Sequence, residues 1–220
     1  MREDLKIHTL ITAIALDNED VELTKQCYNS FINCKTSFVN DVMVDTRLHP
    51  KEQALTGKWN DFINFYRGKD YDYLMICAND TIAHPNALEY MVRLMQDNPE
   101  IGILHPTMNR HVDDFNASLN QSIEYTPELT WNPAETANMI LRKGVIETVG
   151  EFDLLFPHEY NERDYFHRAR KLGIKLGTSP MKLFYHPPHS QEDPNRQGVS
   201  VAANNYRMKH GGDWERETFD

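Results

Sequence analysis

Hydrophobic positions in the first half of the chain alternate between two periods. Residues 7–16 (IHTLITAIAL) are a nearly continuous β-branched and apolar run that stops at Asp17-Asn18, the pattern of a strand buried on both faces. Residues 19–34 follow, with Cys27, Phe31 and Cys34 at helical spacing. Residues 38–44 predict a second strand that ends at Asp45. Residues 51–67 predict a helix with Trp59, Phe62, Ile63 and Tyr66 on one side. A third strand is predicted over 71–77. A helix follows over 85–96, opened by Pro85 and carrying Leu88, Met91, Val92 and Met95 on one face, and then a short strand over 101–105. Strictly alternating strands and helices predict a mostly parallel sheet with crossover helices. In such sheets ligands gather beyond the carboxyl ends of the strands, where Asp17, Asp45 and Asp80 all fall.

After Pro106 the texture changes. Residues 107–135 are polar, with weak alternation at Ser122-Ile123-Glu124-Tyr125, and read as a hairpin or an irregular lobe. Residues 137–142 (ANMILR) predict a strand, 143–149 a short helix ended by Gly150, and 161–172 a helix closed by Gly173. Short strands are expected over 175–178 and 182–185. Residues 187–199 form a Pro-, Asn- and Gln-rich loop long enough to act as a flap, and 200–209 a last helix.

Composition narrows the class. Apolar residues make up 40% of the 220, enough for a full core in a single domain, and the net charge of −10 speaks against a protein that lives on nucleic acid. No run has the pattern of a transmembrane span or a signal peptide. Cys27, Cys34 and Cys77 are odd in number and lack metal-type spacing, so they are expected to be reduced. Sequons occur at Asn79, Asn116 and Asn120, and a glycan on the first would crowd a strand-end turn. Together these favour a cytoplasmic protein.

Two blocks carry a family resemblance. LMICANDTIAHPNALEYMVRLM (residues 74–95) resembles the segment around the metal-binding motif of family-2 glycosyltransferases of the GT-A fold, with rhamnosyltransferase-like members the nearest in pattern. NMILRKGVIETVGEFDLLFPHEYNERDYFHRARKLGIKL (residues 138–176) resembles the acceptor-side block of the same family, in the same order and at similar spacing. The chain departs from the pattern in two places. Ala78 stands where the family usually has the first Asn of Asn-Asn-Asp-Thr, and Asn161-Glu162-Arg163-Asp164 stands for Glu-Asp-x-Asp. A Gln-x-x-Arg-Trp motif is absent, which separates the chain from processive polysaccharide synthases.

The resemblance implies an α/β GT-A fold: a Rossmann-like sheet flanked by helices, with a smaller acceptor-side lobe. Residues 1–106 would form the nucleotide-sugar half and 107–220 the acceptor half and C-terminal flap. It implies inverting transfer from a UDP-, GDP- or dTDP-sugar to a glycan-type acceptor, assisted by Mn2+ or Mg2+. Asp80 and His186 would hold the metal. Glu162 would be the base, with Asp164 as the other carboxylate of that motif. Ala13, Asp17, Asp45, Lys58, Asn60 and Asn79 would line the donor nucleotide, and Trp131 and Asn138 the acceptor. The Pro187–Gln197 loop, with His189 and Arg196, would close over the diphosphate.

The chemistry agrees with this assignment. A diphosphate leaving group develops charge that a divalent cation can neutralise, and one or two protein carboxylates suffice when phosphates supply the other ligands. Plainer roles fit several of these residues too. Glu162 and Asp164 lie in a helix's first turn, where carboxylates complement free N–H groups, and Asn161 with Asp164 imitates a capping box. Side chains two apart on a helix diverge, so only one of the pair is expected to face an acceptor. Asp45 and His186 suit strand ends, Lys58 and Asn60 a helix surface, and Trp131 a core cover. A sugar-phosphate nucleotidyltransferase would carry a Gly-rich loop where this chain has Leu16-Asp17-Asn18-Glu19. A non-catalytic sugar- or protein-binding relative remains compatible with the altered motifs, and the acidic balance argues against a DNA acceptor.

Overall fold

The computed structural model describes residues 4–13, 18–47, 54–129, 138–187 and 196–212. Their order is β1 (Lys6–Thr12), α1 (Asn18–Ile32), β2 (Val39–Asp45), α2 (Ala54–Tyr66), β3 (Tyr73–Ala78), β4 (Ile82–Ala83), α3 (Ala87–Asp97) and β5 (Ile101–Asn109). Then come α4 (Val112–Ser118), β6 (Asn138–Arg142), α5 (Lys143–Val149), α6 (Asn161–Lys171), β7 (Lys175–Tyr185) and α7 (Arg196–His210). The strands form a seven-stranded mixed sheet in the order β2-β1-β3-β6-β5-β7-β4. β1, β2, β3, β5 and β7 run one way, while β6 and the two-residue β4 run the other. The expected mostly parallel, helix-flanked sheet is therefore present.

Strand periodicity divides the core. On β3, Tyr73, Met75 and Cys77 point into a cluster with Phe31, Met91, Met95 and Phe184 from α1, α3 and β7. The alternate residues Leu74 and Ile76 join Trp59, Phe62, Ile146, Phe166 and Tyr206 from α2, α5, α6 and α7. A central strand with helices on both faces is buried on both, as the continuous apolar runs predict. The apolar stripe of α3 supplies Leu88, Met91, Val92 and Met95, all buried. Each such side chain contributes about 1.5–3 kcal/mol on leaving water. Gly102 is where β5 meets the layer above most tightly: a Cβ there would lie 2.5 Å from Ile174 Cγ2 and 2.7 Å from Val145 Cγ2.

Four expectations need correction. Of the two readings of 107–135, the hairpin is absent from the described 107–129 and the irregular one holds only from 119 on. β5 runs on to Asn109, α4 follows, and 119–129 cross without regular structure while Ile123, Tyr125 and Leu129 pack on the core. The two short strands over 175–185 are one strand, β7. From Pro106–Ser179 to Met108–Phe184, β7 loops out extra residues, so a break in its apolar alternation looked like a strand end. Asn161 is not an N-cap. Tyr160 takes that position with φ 65°, and Asn161 is the buried first residue of α6, its Oδ1 accepting the next N–H, that of Glu162. The last helix begins at Arg196, inside the expected loop, and residues 188–195 of that loop, with His189, lie outside the described residues.

Candidate active site

The carboxyl ends of the parallel strands form one rim. Thr12 pairs with Asp45 on one side and Ala78 on the other, so β1, β2 and β3 end level. Ala13 continues that rim, donating its N–H to Asp45 O at 3.2 Å. At the far side β5 and β7 end together at Asn109 and Tyr185. After β3 the chain turns at Ala78–Thr81, and β4 pairs Ile82 with Tyr185 in antiparallel sense. That short pairing carries the turn to the end of β7. There Asp80 Oδ1 lies 3.1 Å from His186 Nε2. The two residues expected to share a metal thus meet. The Asp80 side chain is 15% exposed, and His186 is buried.

His186 is held from behind. Its backbone N–H donates to Asn109 O at 3.0 Å. The Arg110 guanidinium contacts His186 Nδ1 and donates to Pro187 O at 3.2 Å. A guanidinium only donates, so Nδ1 accepts, and in the neutral ring Nε2 carries the proton that faces Asp80. His186 is then the hydrogen-bond donor that orients Asp80. Among the described residues no group of three or more His, Cys, Asp or Glu side chains is placed to hold a metal. The Asp80 carboxylate by itself fits a hard, oxygen-seeking divalent ion completed by diphosphate oxygens, whereas the imidazole fits only once Nε2 has given up its proton.

At the β1–β2 end of the rim, Asp45 is buried and already engaged. Arg47 donates from its backbone N–H at 2.9 Å and from its guanidinium at 2.6 Å, and it also pairs with Asp61 at 3.0 Å. Burial pushes the Asp45 carboxyl up, but the Arg47 hydrogen bonds and charge outweigh it and hold the group below its ordinary value. Arg47 itself is 61% exposed and borders a cavity of about 460 Å³ lined also by Asp45, Met43, Asp61, Phe62 and Phe65. Lys58 reaches from α2 to Ala13 O and, at 3.3 Å, to Asp45 O. It ties the ends of β1 and β2 together, and burial lowers its pKa. Asn79 donates to Thr24 Oγ1 at 3.0 Å. Asp17 lies outside the described residues, as does Trp131.

Three expected site residues are engaged by other parts of the chain. Asn60 exchanges two hydrogen bonds with the Phe152 backbone, at 2.9 and 2.8 Å, and so pins the loop before α6. Asn138, expected at the acceptor, is fully buried, and its amide bonds the Asp80 turn. Asp164 is 0% exposed and carries Arg168 at 2.8 Å, Lys209 at 2.5 Å and His210 at 2.8 Å. It fastens α7 to α6. Glu162 differs: its side chain is 15% exposed, with Arg163 Nε 4.0 Å away. Asn161 donates to Thr56 Oγ1 at 3.1 Å, joining the start of α6 to the first turn of α2, whose Lys58 reaches the same rim.

No family model and no curated protein matches the chain. Solved structures do. S. aureus TarS 1–349 in complex with UDP superposes with TM-score 0.56 at 9% identity, covering 92% of this chain and 66% of that one. Mannosyltransferase PcManGT from Pyrobaculum calidifontis in complex with GDP-Man and Mn2+ gives 0.55 at 13% identity, covering 86% and 59%. S. aureus TarS itself gives 0.56 at 10% identity, and this chain covers 40% of it. The chain therefore spans less than two thirds of the length of each. At these identities the likeness shows the fold, the α/β architecture of GT-A structures. No helix among the described residues is long and apolar enough to cross a membrane.

Proposed function

We propose that this chain transfers a sugar, with inversion, from a nucleotide-diphospho-sugar to a hydroxyl of a glycan-type acceptor. The observation that carries the reading is the meeting of Asp80 with His186 at the carboxyl rim, 3.1 Å apart, on a fold shared with structures that hold UDP or GDP-Man. Glu162 takes the proton of the acceptor hydroxyl. The oxygen attacks the anomeric carbon opposite the diphosphate, the bond from that carbon to the β-phosphate oxygen breaks, and the nucleoside diphosphate leaves. Mn2+ or Mg2+ at Asp80, when bound, would neutralise the negative charge that develops on the leaving group. His186 keeps the Asp80 carboxylate aimed at that place. Asp45 accepts an N–H of the base, and Arg47 donates to a base carbonyl beside it. Ala13, next to Asp45 on the rim, and Asn79, in the Asp80 turn, contact the donor, and Lys58 holds the ends of β1 and β2 together beside it. Asp17 and Trp131 keep the donor and acceptor roles expected for them.

The test is turnover. With UDP-, GDP- and dTDP-sugars and Mn2+ or Mg2+, the protein should release nucleoside diphosphate from one donor, faster when the right acceptor is added and far slower in Glu162→Gln. One observation favours a second reading, a non-catalytic sugar-binding module: the Asp45 carboxylate is already occupied by Arg47. Binding of a nucleotide sugar without release from any donor or acceptor would establish that reading instead.

A further inference from the structure

β6 is apolar except at its two ends, Asn138 and Arg142. Met139, Ile140 and Leu141 are buried, and so is Asn138, which pairs with Cys77 near the end of β3. A buried amide among such neighbours is costly unless its hydrogen bonds are made. Here they are made to one place. Asn138 Oδ1 accepts the Ala78 N–H at 3.2 Å, and Nδ2 donates to Thr81 Oγ1 at 3.1 Å. The same Nδ2 lies 3.6 Å from Met108 Sδ on β5. Ala78 and Thr81 are the two ends of the turn that carries Asn79 and Asp80. The turn's own backbone bond, Thr81 N–H to Ala78 O, is 3.3 Å, beyond the usual optimum. One side chain therefore clasps both ends of a turn that closes only loosely by itself.

We propose that Asn138 is a positioning residue: it sets the aim of the Asp80 carboxylate toward His186, and through it toward the donor diphosphate. Only an amide offers an acceptor and a donor at this spacing. Aspartate lacks the N–H, leucine lacks both, and serine is too short to span the ends. Removing the clasp leaves a half-buried N–H and a buried hydroxyl without that partner, and the cheapest relief is for the turn to shift. Outer partners of this kind typically matter by about 10- to 100-fold in metal affinity or activity. The consequence for the donor rests on the function proposed above, while the consequence for the turn does not.

The experiment uses Asn138→Leu, close in volume but without hydrogen bonds, and the milder Thr81→Val, each with and without Asp80→Ala. Crystal structures of the two single variants report the Asp80–His186 separation. Calorimetry with UDP and GDP in Mn2+ reports affinity. The expected result is that the 3.1 Å contact opens beyond hydrogen-bond reach in Asn138→Leu. Nucleotide affinity should fall about 10- to 100-fold there, and less in Thr81→Val. With Asp80 already replaced, neither substitution should weaken binding further, whereas a merely structural loss would be the same size with or without Asp80. An intact contact in the variants, or an equal loss without Asp80, overturns the proposal. If Asn138→Leu does not fold, Thr81→Val decides by the same two readouts. If the wild type binds neither nucleotide, the donor reading fails by itself, and the contact distance still decides the role of Asn138.

Discussion

Asp80 and Asp164 are carboxylates that the sequence presents with equal prominence, each in a motif, each beside the end of a regular element. Their surroundings are opposite. Asp80 stands at the strand rim, 15% exposed, aligned by the imidazole of His186. Asp164 is 0% exposed and closed in by a guanidinium, an ammonium and an imidazole. A buried carboxylate enclosed by hydrogen-bonded cations is a strut between helices, and removing one partner from such a cluster is costly. A carboxylate at the mouth of the sheet, oriented but not enclosed, can still exchange partners with a ligand. Glu162, two residues before Asp164 on the same helix, falls on the Asp80 side of this divide at 15% exposure.

Glu162→Gln breaks the comparison most severely. It should lower kcat by roughly 100- to 10,000-fold, the span expected for a positioned base. Urea unfolding should stay within about 1 kcal/mol of wild type, because Gln keeps the volume of the Glu162 side chain. An unchanged rate would move the base elsewhere. Asp164→Ala should do the reverse, costing about 3–5 kcal/mol in urea unfolding because Arg168, Lys209 and His210 lose their shared partner. Wild-type stability with abolished turnover would return Asp164 to the chemistry.

A smaller effect follows from pH. Burial lowers the pKa of His8, His84 and His210 below the ordinary 6.5, so the folded protein prefers these rings neutral while the unfolded chain protonates them more readily. Their contribution is complete above the unfolded value and is lost as pH falls through the lowered folded values. The urea midpoint should therefore decline from about pH 7.5 to about pH 5, and a rise over that window would contradict the burial of these rings. Arg47→Ala should matter least at neutral pH, under about 1 kcal/mol, since the guanidinium is 61% exposed. Its signature is at the acid end. The depressed Asp45 carboxyl supports the fold above its ordinary range and loses that support as pH falls through its folded value. Without Arg47 the loss should begin at higher pH in an acid titration followed by circular dichroism.

The difference between the two carboxylates also marks what could be read from the sequence. Local period and turn residues reveal β1, β3, α3 and α5, and a strand-end carboxylate such as Asp80 is legible from the apolar run that stops before it. The distant partners of Asp164 were not legible. Lys209 and His210 sit on a helix far down the chain, and no local pattern says that their charges converge on α6. The hydrogen-bond partners of Asn138, which opens a resemblance block, were not legible for a similar reason: Ala78 and Thr81 come to it through the antiparallel pairing of β6 with β3. α4 was missed because Val112–Ser118 buries a single apolar residue, Phe115, too little to show a helical period. β7 was split because its bulge interrupts the alternation on which strand recognition depends.

The most direct measurement is the melting temperature with UDP-, GDP-, dTDP- and CMP-sugars at millimolar concentration, each with and without Mn2+, for wild type and Asp80→Ala. A ligand that binds only the folded state raises Tm, by an amount set by its concentration relative to Kd. A Mn2+-dependent rise with one nucleotide, lost in Asp80→Ala, is the predicted result and would name the base. No rise with any donor, or a rise that survives Asp80→Ala undiminished, would contradict the claim that the Asp80 turn is where this chain meets a diphosphate.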